Sequence, residues 1–177
     1  MLKSLNPTAI QSQECILQSL LARMNKNPYS KITISQICKY ARLDRRTFYR
    51  NFKNKDDVLD FYIYRLKNEY IEMLIQKENL NSYNIAVTYF EFWNKHLDFF
   101  TKMNKDGKAI YLLNKQMELL PEIHNYFSVQ SDTELSKYHL AYNVGGFWNL
   151  LINWASGGAK ETPEYMASIV SSIILKH

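Results

Sequence analysis

Cysteine and glycine are scarce in this chain, and each scarcity removes a class of chemistry. Cys15 and Cys38 are the only cysteines, and with no secretion signal and no repeated spacing they read as small buried hydrophobes rather than a disulfide or zinc set. The five glycines form no phosphate-cradling loop, and no nucleophile motif is present. His96, His124, His139 and His177 are scattered, without the spacing of a metal set. No catalytic residue, metal or cofactor is therefore expected, and enzyme function is not. Long hydrophobic runs are missing too: nothing approaches the roughly 20 apolar residues of a membrane span, and the first residues do not form a signal peptide. The cytoplasm is the expected location, with no membrane partner. Runs that alternate apolar and polar residues are also lacking, which argues against a sheet. There is no internal repeat or low-complexity tract.

What is present is a chain of 177 residues, 46% of them hydrophobic, enough for a sizeable core without covalent staples. Charge is divided unevenly. Residues 1–55 hold eleven Lys/Arg against Glu14 and Asp44, a net of +9, while residues 56–177 carry a net of −4. A basic first third on an acidic remainder suits a head that binds a polyanion, since phosphate neutralisation and counterion release drive nonspecific DNA affinity. Anionic lipid, or solubility alone, would account for the same charge.

Hydrophobic periodicity predicts helices only. The first covers about residues 8–25, with Ile10, Leu17, Leu20, Leu21 and Met24 on one face, ended by Asn25 to Pro28. A second begins at Thr33, which with Gln36 forms a capping box, while Ile32 and Ile37 stand in hydrophobic-staple positions. Ile34, Ile37, Cys38 and Ala41 make its stripe before it breaks near Arg42 and Leu43. Asp44 is placed to cap a third helix, with Leu43 and Phe48 as its staple and Phe52 one turn on. The other face of that helix is Arg45, Arg46, Tyr49 and Arg50.

Two short helices joined by a tight turn form a helix-turn-helix, whose second helix enters the major groove of DNA. Arginine can bond guanine O6 and N7 or clamp a phosphate, and tyrosine can pack on a thymine methyl or bond a phosphate. A solvated face of three arginines is the alternative. Next, Asn54 is a good cap for a fourth helix, and Lys55 in its first turn is expected to grip a phosphate. Asp56 and Asp57 there favour the positive end of the helix dipole.

The stretch TISQICKYARLDRRTFYRNFKNKDDVL, Thr33 to Leu59, resembles the DNA-binding head of the TetR family of bacterial regulators. The resemblance covers roughly residues 8–60. It implies that Arg45, Arg46, Thr47, Tyr49 and Arg50 face bases or nearby phosphates of a double-stranded operator, while Thr33, Asn51 and Lys55 bind backbone. Arg42 departs from the family, which usually has glycine in the turn. A side chain there must accept a left-handed backbone or shift the turn.

Beyond the head, a fourth helix is expected over about 55–77 with Leu59, Tyr62, Ile63, Leu66, Tyr70, Met73 and Leu74 on one stripe. After a break at Asn79 to Ser82, one aromatic-rich helix is expected from Tyr89 through Phe100, ending near Asn104 to Gly107. Another, Ala109 to Leu120, is expected to stop before Pro121, with a short helix around Ile123 to Phe127. A helix over 132–156, apolar on most sides, should be buried; after Gly157-Gly158 a last one starts at Thr162-Pro163, with Met166, Ile169, Val170, Ile173 and Ile174 on one side. These two suit a two-fold four-helix interface. The segment GGFWNLLINWASGGAKETPEYMASIV also resembles the end of the TetR-family C-terminal domain found in relatives of dihydroxyacetone-kinase regulators.

The expected architecture is all-α: a DNA-binding head over residues 1–54 and a helical regulatory and dimerisation domain over 55–177. The expected partners are an operator duplex, a second copy of the chain in a homodimer, and a small-molecule or protein effector of unknown identity. A small molecule would sit among Trp93, Phe100, Met103, Tyr111, Met117, His139, Tyr142 and Trp148, each of which also reads as plain core. The alternative is a helical co-regulator acting mainly through a protein partner. An enclosed cavity would favour the first, an exposed apolar patch the second.

Overall fold

A computed structural model describes residues 7–126 and 134–174, with the side chains of 119–126, 134–137, 139, 140 and 174 left aside. Among the described residues every regular element is helical: α1 Pro7–Met24, α2 Ile34–Ala41, α3 Arg45–Asn51, α4 Lys55–Ile75, α5 Ser82–Lys95, α6 Leu97–Lys105, α7 Ala109–Tyr126, α8 Glu134–Ser156 and α9 Pro163–Ile174, with a 3-10 turn at Tyr29–Lys31. The chain divides into two compact units, residues 1–65 and 66–177, so the first turns of α4 belong with the head.

In the head, α1, α2 and α3 pack on one another. Ile16, Leu17, Leu20 and Met24 of α1 meet a core completed by Ile37, Cys38, Phe48 and Phe52, with Val58 and Leu59 from α4 also buried. Cys38 is buried as expected, but Cys15 is only half-buried, because it lies beside the α1 stripe rather than on it. Ile10, expected on that stripe, is exposed near the start of α1. Both thiols are free.

The second unit is an aromatic core. Its rings meet in a continuous series, Tyr70 and Phe92 tilted at 5.4 Å, then edge to face Phe92 and Trp93 at 5.1 Å, Trp93 and Phe100 at 5.2 Å, and Phe100 and Trp148 at 5.4 Å. Such pairs add about 0.5–1.5 kcal/mol each beyond the area they bury. α9 packs along α5, burying Met166, Ala167 and Val170. The turn between α8 and α9 is tied by the Trp154 indole, whose Nε1 donates to the Glu161 carbonyl at 3.1 Å. Gly158 takes φ 88° there, a backbone that glycine adopts without cost.

The second unit differs from the sequence expectations in three places. The single aromatic helix is two, α5 and α6, broken at His96, whose φ −109° and ψ 22° leave the helical region. Phe92 and Trp93 before His96 and Leu97 and Phe100 after it keep one helical spacing, so periodicity alone does not register the bend. Its ring bonds Glu69 at 3.1 Å and lies against Phe92 at 4.8 Å. α7 does not stop before Pro121 but continues to Tyr126. A proline forfeits one backbone hydrogen bond and bends a helix without having to end it. Phe127, at the end of the short helix expected there, lies outside the described residues. Finally, α8 is not buried on all sides: Val144, Trp148, Leu151 and Trp154 are covered, while Tyr138, Tyr142, Asn149 and Asn153 face outward in the single chain. On α9 Ile173 is likewise exposed, and the Ile174 side chain lies outside the described residues.

Candidate nucleic-acid interface

The start of α2 is built as its sequence implies. The Gln36 amide donates to Thr33 Oγ1 at 3.2 Å, and the Thr33 amide donates to Gln36 Oε1 at 2.9 Å, satisfying two donors that the first helical turn leaves open. Ile32 and Ile37 are both buried beneath it.

The turn between α2 and α3 answers the question posed by Arg42. Its backbone is left-handed, φ 55° and ψ 39°, so the arginine accepts the conformation and the turn is not shifted. The Leu43 amide donates to the Cys38 carbonyl at 3.0 Å, closing the end of α2 in a Schellman arrangement. Holding a non-glycine residue there costs about 1–2 kcal/mol.

α3 starts on Asp44, whose Oδ1 accepts from the Thr47 amide at 2.6 Å. That bond, helped by Arg50 and Arg46 nearby, holds the Asp44 carboxyl below the usual aspartate range. Phe48 is buried and pins the helix, and its ring meets Tyr49 edge-on at 5.5 Å. Arg45, Arg46, Tyr49 and Arg50 are all exposed, and Thr47 is half-buried. Tyr49 is 49% exposed, so its hydroxyl reaches solvent while its ring stays anchored. The Arg45 guanidinium lies 5.9 Å from the Tyr49 ring centroid and donates to its hydroxyl at 3.4 Å. The two outward groups on the recognition helix are thereby held as a pair one turn apart.

The residues assigned to the DNA backbone occupy different settings. Thr33 is exposed at the head of α2. Asn51 is half-buried and donates from Nδ2 to the Thr47 carbonyl at 2.8 Å. Lys55, expected to grip a phosphate, has its ammonium turned inward: Nζ donates to the Tyr29 carbonyl at 2.8 Å and to the Ile32 carbonyl at 3.0 Å, and it sits 4.5 Å from the Tyr29 ring centroid. The Tyr29 hydroxyl donates to Asp56 Oδ1 at 2.6 Å. Asn54 caps α4 as expected, accepting from the Asp57 amide at 2.9 Å, and Asp57 accepts from the Lys53 amide at 2.8 Å. Asp56 and Asp57 are thus occupied with holding the head together.

Tyr29 is the residue that sequence reasoning missed. No local pattern marks it, because its partner Lys55 lies 26 residues away. Also unanticipated is a cavity of about 250 Å³ lined by Thr8, Ala9, Ser12, Arg50 and Asn51, which sets the start of α1 beside the end of the recognition helix.

In the second unit, Trp93, Phe100 and Trp148 come together as core rings in edge-to-face contact, and Met103 is buried. Tyr111 is half-buried between two cations, Lys108 Nζ at 5.0 Å and Lys115 Nζ at 5.9 Å from its centroid. Met117 is 39% exposed and Tyr142 68% exposed, so in the single chain these two do not join that buried group. His139 lies on α8, but its side chain is outside the described residues. No group of His, Cys, Asp and Glu suited to a metal ion occurs among the described residues. No helix among them is long and apolar enough to cross a membrane.

A closed helix-turn-helix with a basic and aromatic outer face defines a DNA-binding protein. The sequence matches the family described as "Bacterial regulatory proteins, tetR family" over residues 16–60, and a "Transcriptional regulator C-terminal region" over residues 80–176. The chain belongs to the TetR family of DNA-binding transcription regulators, which are not enzymes. Among solved structures it is similar to the dihydroxyacetone kinase operon activator DhaS, at 20% identity, with 94% of this chain and 96% of that one covered and a TM-score of 0.58. A TetR regulator from Streptococcus agalactiae 2603V is similar at 16% identity over 92% and 95%, with a TM-score of 0.60. The fatty acid degradation regulator FadR from Bacillus halodurans matches at 19% identity over 98% and 97%, with a TM-score of 0.55. At these identities the likeness concerns the fold. No curated protein matches the chain in sequence.

Proposed function

We propose that this chain is a cytoplasmic repressor that binds a palindromic operator as a homodimer and is released when an effector engages its C-terminal domain. The observation that carries the reading is the outer face of α3, where Arg45, Arg46, Tyr49 and Arg50 stand exposed on a helix pinned from beneath by Phe48. Arg45, Arg46, Thr47, Tyr49 and Arg50 face bases and neighbouring phosphates, and Thr33 and Asn51 meet the sugar-phosphate backbone. Lys55 serves the same backbone contact by holding the turn that leads into Thr33. The outward residues of α8 and α9, Tyr142, Asn149 and Asn153 with Tyr165, Ser168 and Ile173, supply a surface for a second copy, and a two-fold dimer matches a two-fold operator. Two recognition helices about 34–36 Å apart span one turn of DNA, and an effector that favours another spacing releases it.

A second reading keeps the DNA grip but takes its signal from a protein. The exposure of Ile110, Met117 and Tyr142 favours it, since apolar surface of this kind also receives partners.

Selection of tight binders from random duplex DNA, titrated at two salt concentrations, separates the two. An enriched palindrome supports the operator-binding dimer, and placing that palindrome within a promoter reads whether bound protein blocks or raises transcription. Weak, salt-sensitive binding with no enriched sequence supports the partner-driven reading. Replacing Arg45 or Tyr49 with Ala is expected to weaken the selected site by about 1–3 kcal/mol and relax its sequence. Equal losses on every duplex would remove these residues from base reading.

A further inference from the structure

The cavity in the head lies where one helix begins and another ends. Thr8, Ala9 and Ser12 line it from the start of α1, and Arg50 and Asn51 line it from the last turn of α3. At about 250 Å³ it falls below the roughly 300–1,000 Å³ of sites that enclose an organic ligand. A single charged or polar group presented from outside suits it better than a free molecule.

The charge in the lining has one sign. Arg50 is exposed and is the only ionisable residue among the five. Asp44, a carboxylate that feels Arg50, already accepts from the Thr47 amide at 2.6 Å. Asn51 spends one Nδ2 hydrogen on the Thr47 carbonyl at 2.8 Å, and a side-chain amide nitrogen has a second. The buried Ser12 hydroxyl donates to the Thr8 carbonyl at 2.8 Å, so it forms wall rather than offering its hydrogen outward. No acidic residue stands in the first turn of α1, and the positive end of that helix adds to the field of Arg50. The lining therefore favours an anion, and a guanidinium offers a planar fork matched to phosphate oxygens. A metal ion would find no carboxylate there.

The geometry points to a seat for one DNA backbone phosphate at Arg50 and Asn51 beside Ala9 and Ser12, which makes the start of α1 part of the DNA interface. The phosphate comes from DNA because Arg50 shares the exposed face of α3 with Arg45, Arg46 and Tyr49, the face that a bound duplex covers. Arg50 then fixes the register of the head, and sequence is left to Arg45, Arg46 and Tyr49. The inference deepens the proposed function by dividing labour on α3, but the seat acts on any duplex and needs no operator.

Substitutions at Ala9 separate DNA affinity from stability. Ala9→Glu brings a carboxylate to the seat, which repels phosphate, while a carboxylate in the first turn of a helix is favourable. Every duplex should bind at least tenfold more weakly, the salt slope should fall by about one, and the thermal midpoint should hold or rise. Ala9→Lys should do the reverse, tightening every duplex and lowering the midpoint slightly. Gln11→Glu adds the same charge in the same region, but Gln11 is exposed and outside the lining, so it should cost less than threefold. Arg50→Ala should weaken random and selected duplexes alike, whereas Arg45→Ala also relaxes the selected sequence.

Equal losses in Ala9→Glu and Gln11→Glu would reduce the effect to net charge and overturn the seat, as would unaltered affinity and salt slope in Ala9→Glu. An Arg50→Ala protein that relaxes one base position and spares random duplexes would place Arg50 on a base instead. Inorganic phosphate that raises the midpoint of the parent protein but not of Ala9→Glu, with DNA binding equal in the two, would assign the seat to a free anion and overturn its role on DNA. Failure to select a palindrome removes the operator reading alone, since the Ala9 and Arg50 variants are compared on random duplexes. If the parent protein binds no duplex, both fall.

Discussion

The two compact units of this chain are stabilised in different ways. In the head, each short helix is announced and terminated by named side chains: Thr33 with Gln36, Asp44, and Asn54, each bonded to a backbone amide three residues on. In the second unit, specification comes from mass, with rings from α4, α5, α6 and α8 meeting in one series. The difference follows from what each must do. A helix of seven residues, such as α3, is too short to be stable alone, and it presents four exposed side chains whose position matters to within a hydrogen bond. Caps and a buried staple set its start and rotation. Long helices gain enough from burial to tolerate a bend at His96 or a proline within α7.

The largest effect expected to test this contrast comes from the cores. Phe48→Ala and Phe90→Ala each remove a fully buried ring and should cost about 3–5 kcal/mol. The readouts should diverge, since all three tryptophans, Trp93, Trp148 and Trp154, lie in the second unit. Phe48→Ala should lose DNA binding and helicity at temperatures where tryptophan emission is unchanged, whereas Phe90→Ala should shift that emission, because Phe90 meets Trp154 at 5.5 Å. A single shared transition in both variants would erase the distinction between the units.

Lys55→Met comes next. It removes two bonds from a charged donor to the Tyr29 and Ile32 carbonyls, each worth about 1.5–3 kcal/mol, and urea unfolding of the head should move accordingly. If stability is unchanged while the salt dependence of DNA binding flattens by about one unit, Lys55 is a phosphate contact and not a brace.

Arg42→Gly works in the opposite direction. Relief of the left-handed backbone, about 1–2 kcal/mol, exceeds the added entropy cost of glycine, about 0.5–1 kcal/mol, so the variant should gain a few tenths to 1 kcal/mol by thermal unfolding. A loss of stability would show that the arginine side chain contributes something the turn geometry does not.

The smallest effect is one of pH. Asp44 has a depressed pKa in the folded head, set first by its bond to the Thr47 amide. Its contribution is therefore complete at neutral pH and is lost as acid protonates the carboxylate through and below the ordinary aspartate range. Helicity and operator affinity should fall slightly over that interval, and Asp44→Asn should flatten the change.

How much of this was legible beforehand depends on the reach of each interaction. The caps at Thr33, Asp44 and Asn54 and the outward set Arg45, Arg46, Tyr49 and Arg50 were readable because a helix start and a helical face are decided within three or four residues. The charge division between residues 1–55 and 56–177 needed only counting. Whether Arg42 would bend its own backbone or shift the turn was undecided in sequence, since both satisfy the same spacing.

The sequence by itself determined that the chain is helical, where most helices begin, and which short helix carries the basic face, because propensity, capping and periodicity act over a single turn. Only the tertiary structure decided that Lys55 turns inward to a tyrosine 26 residues before it and that the helix through the aromatic run breaks where His96 meets Glu69. Each of these depends on how distant helices cross, and the crossing is set by the fit of many side chains at once, which no local pattern encodes.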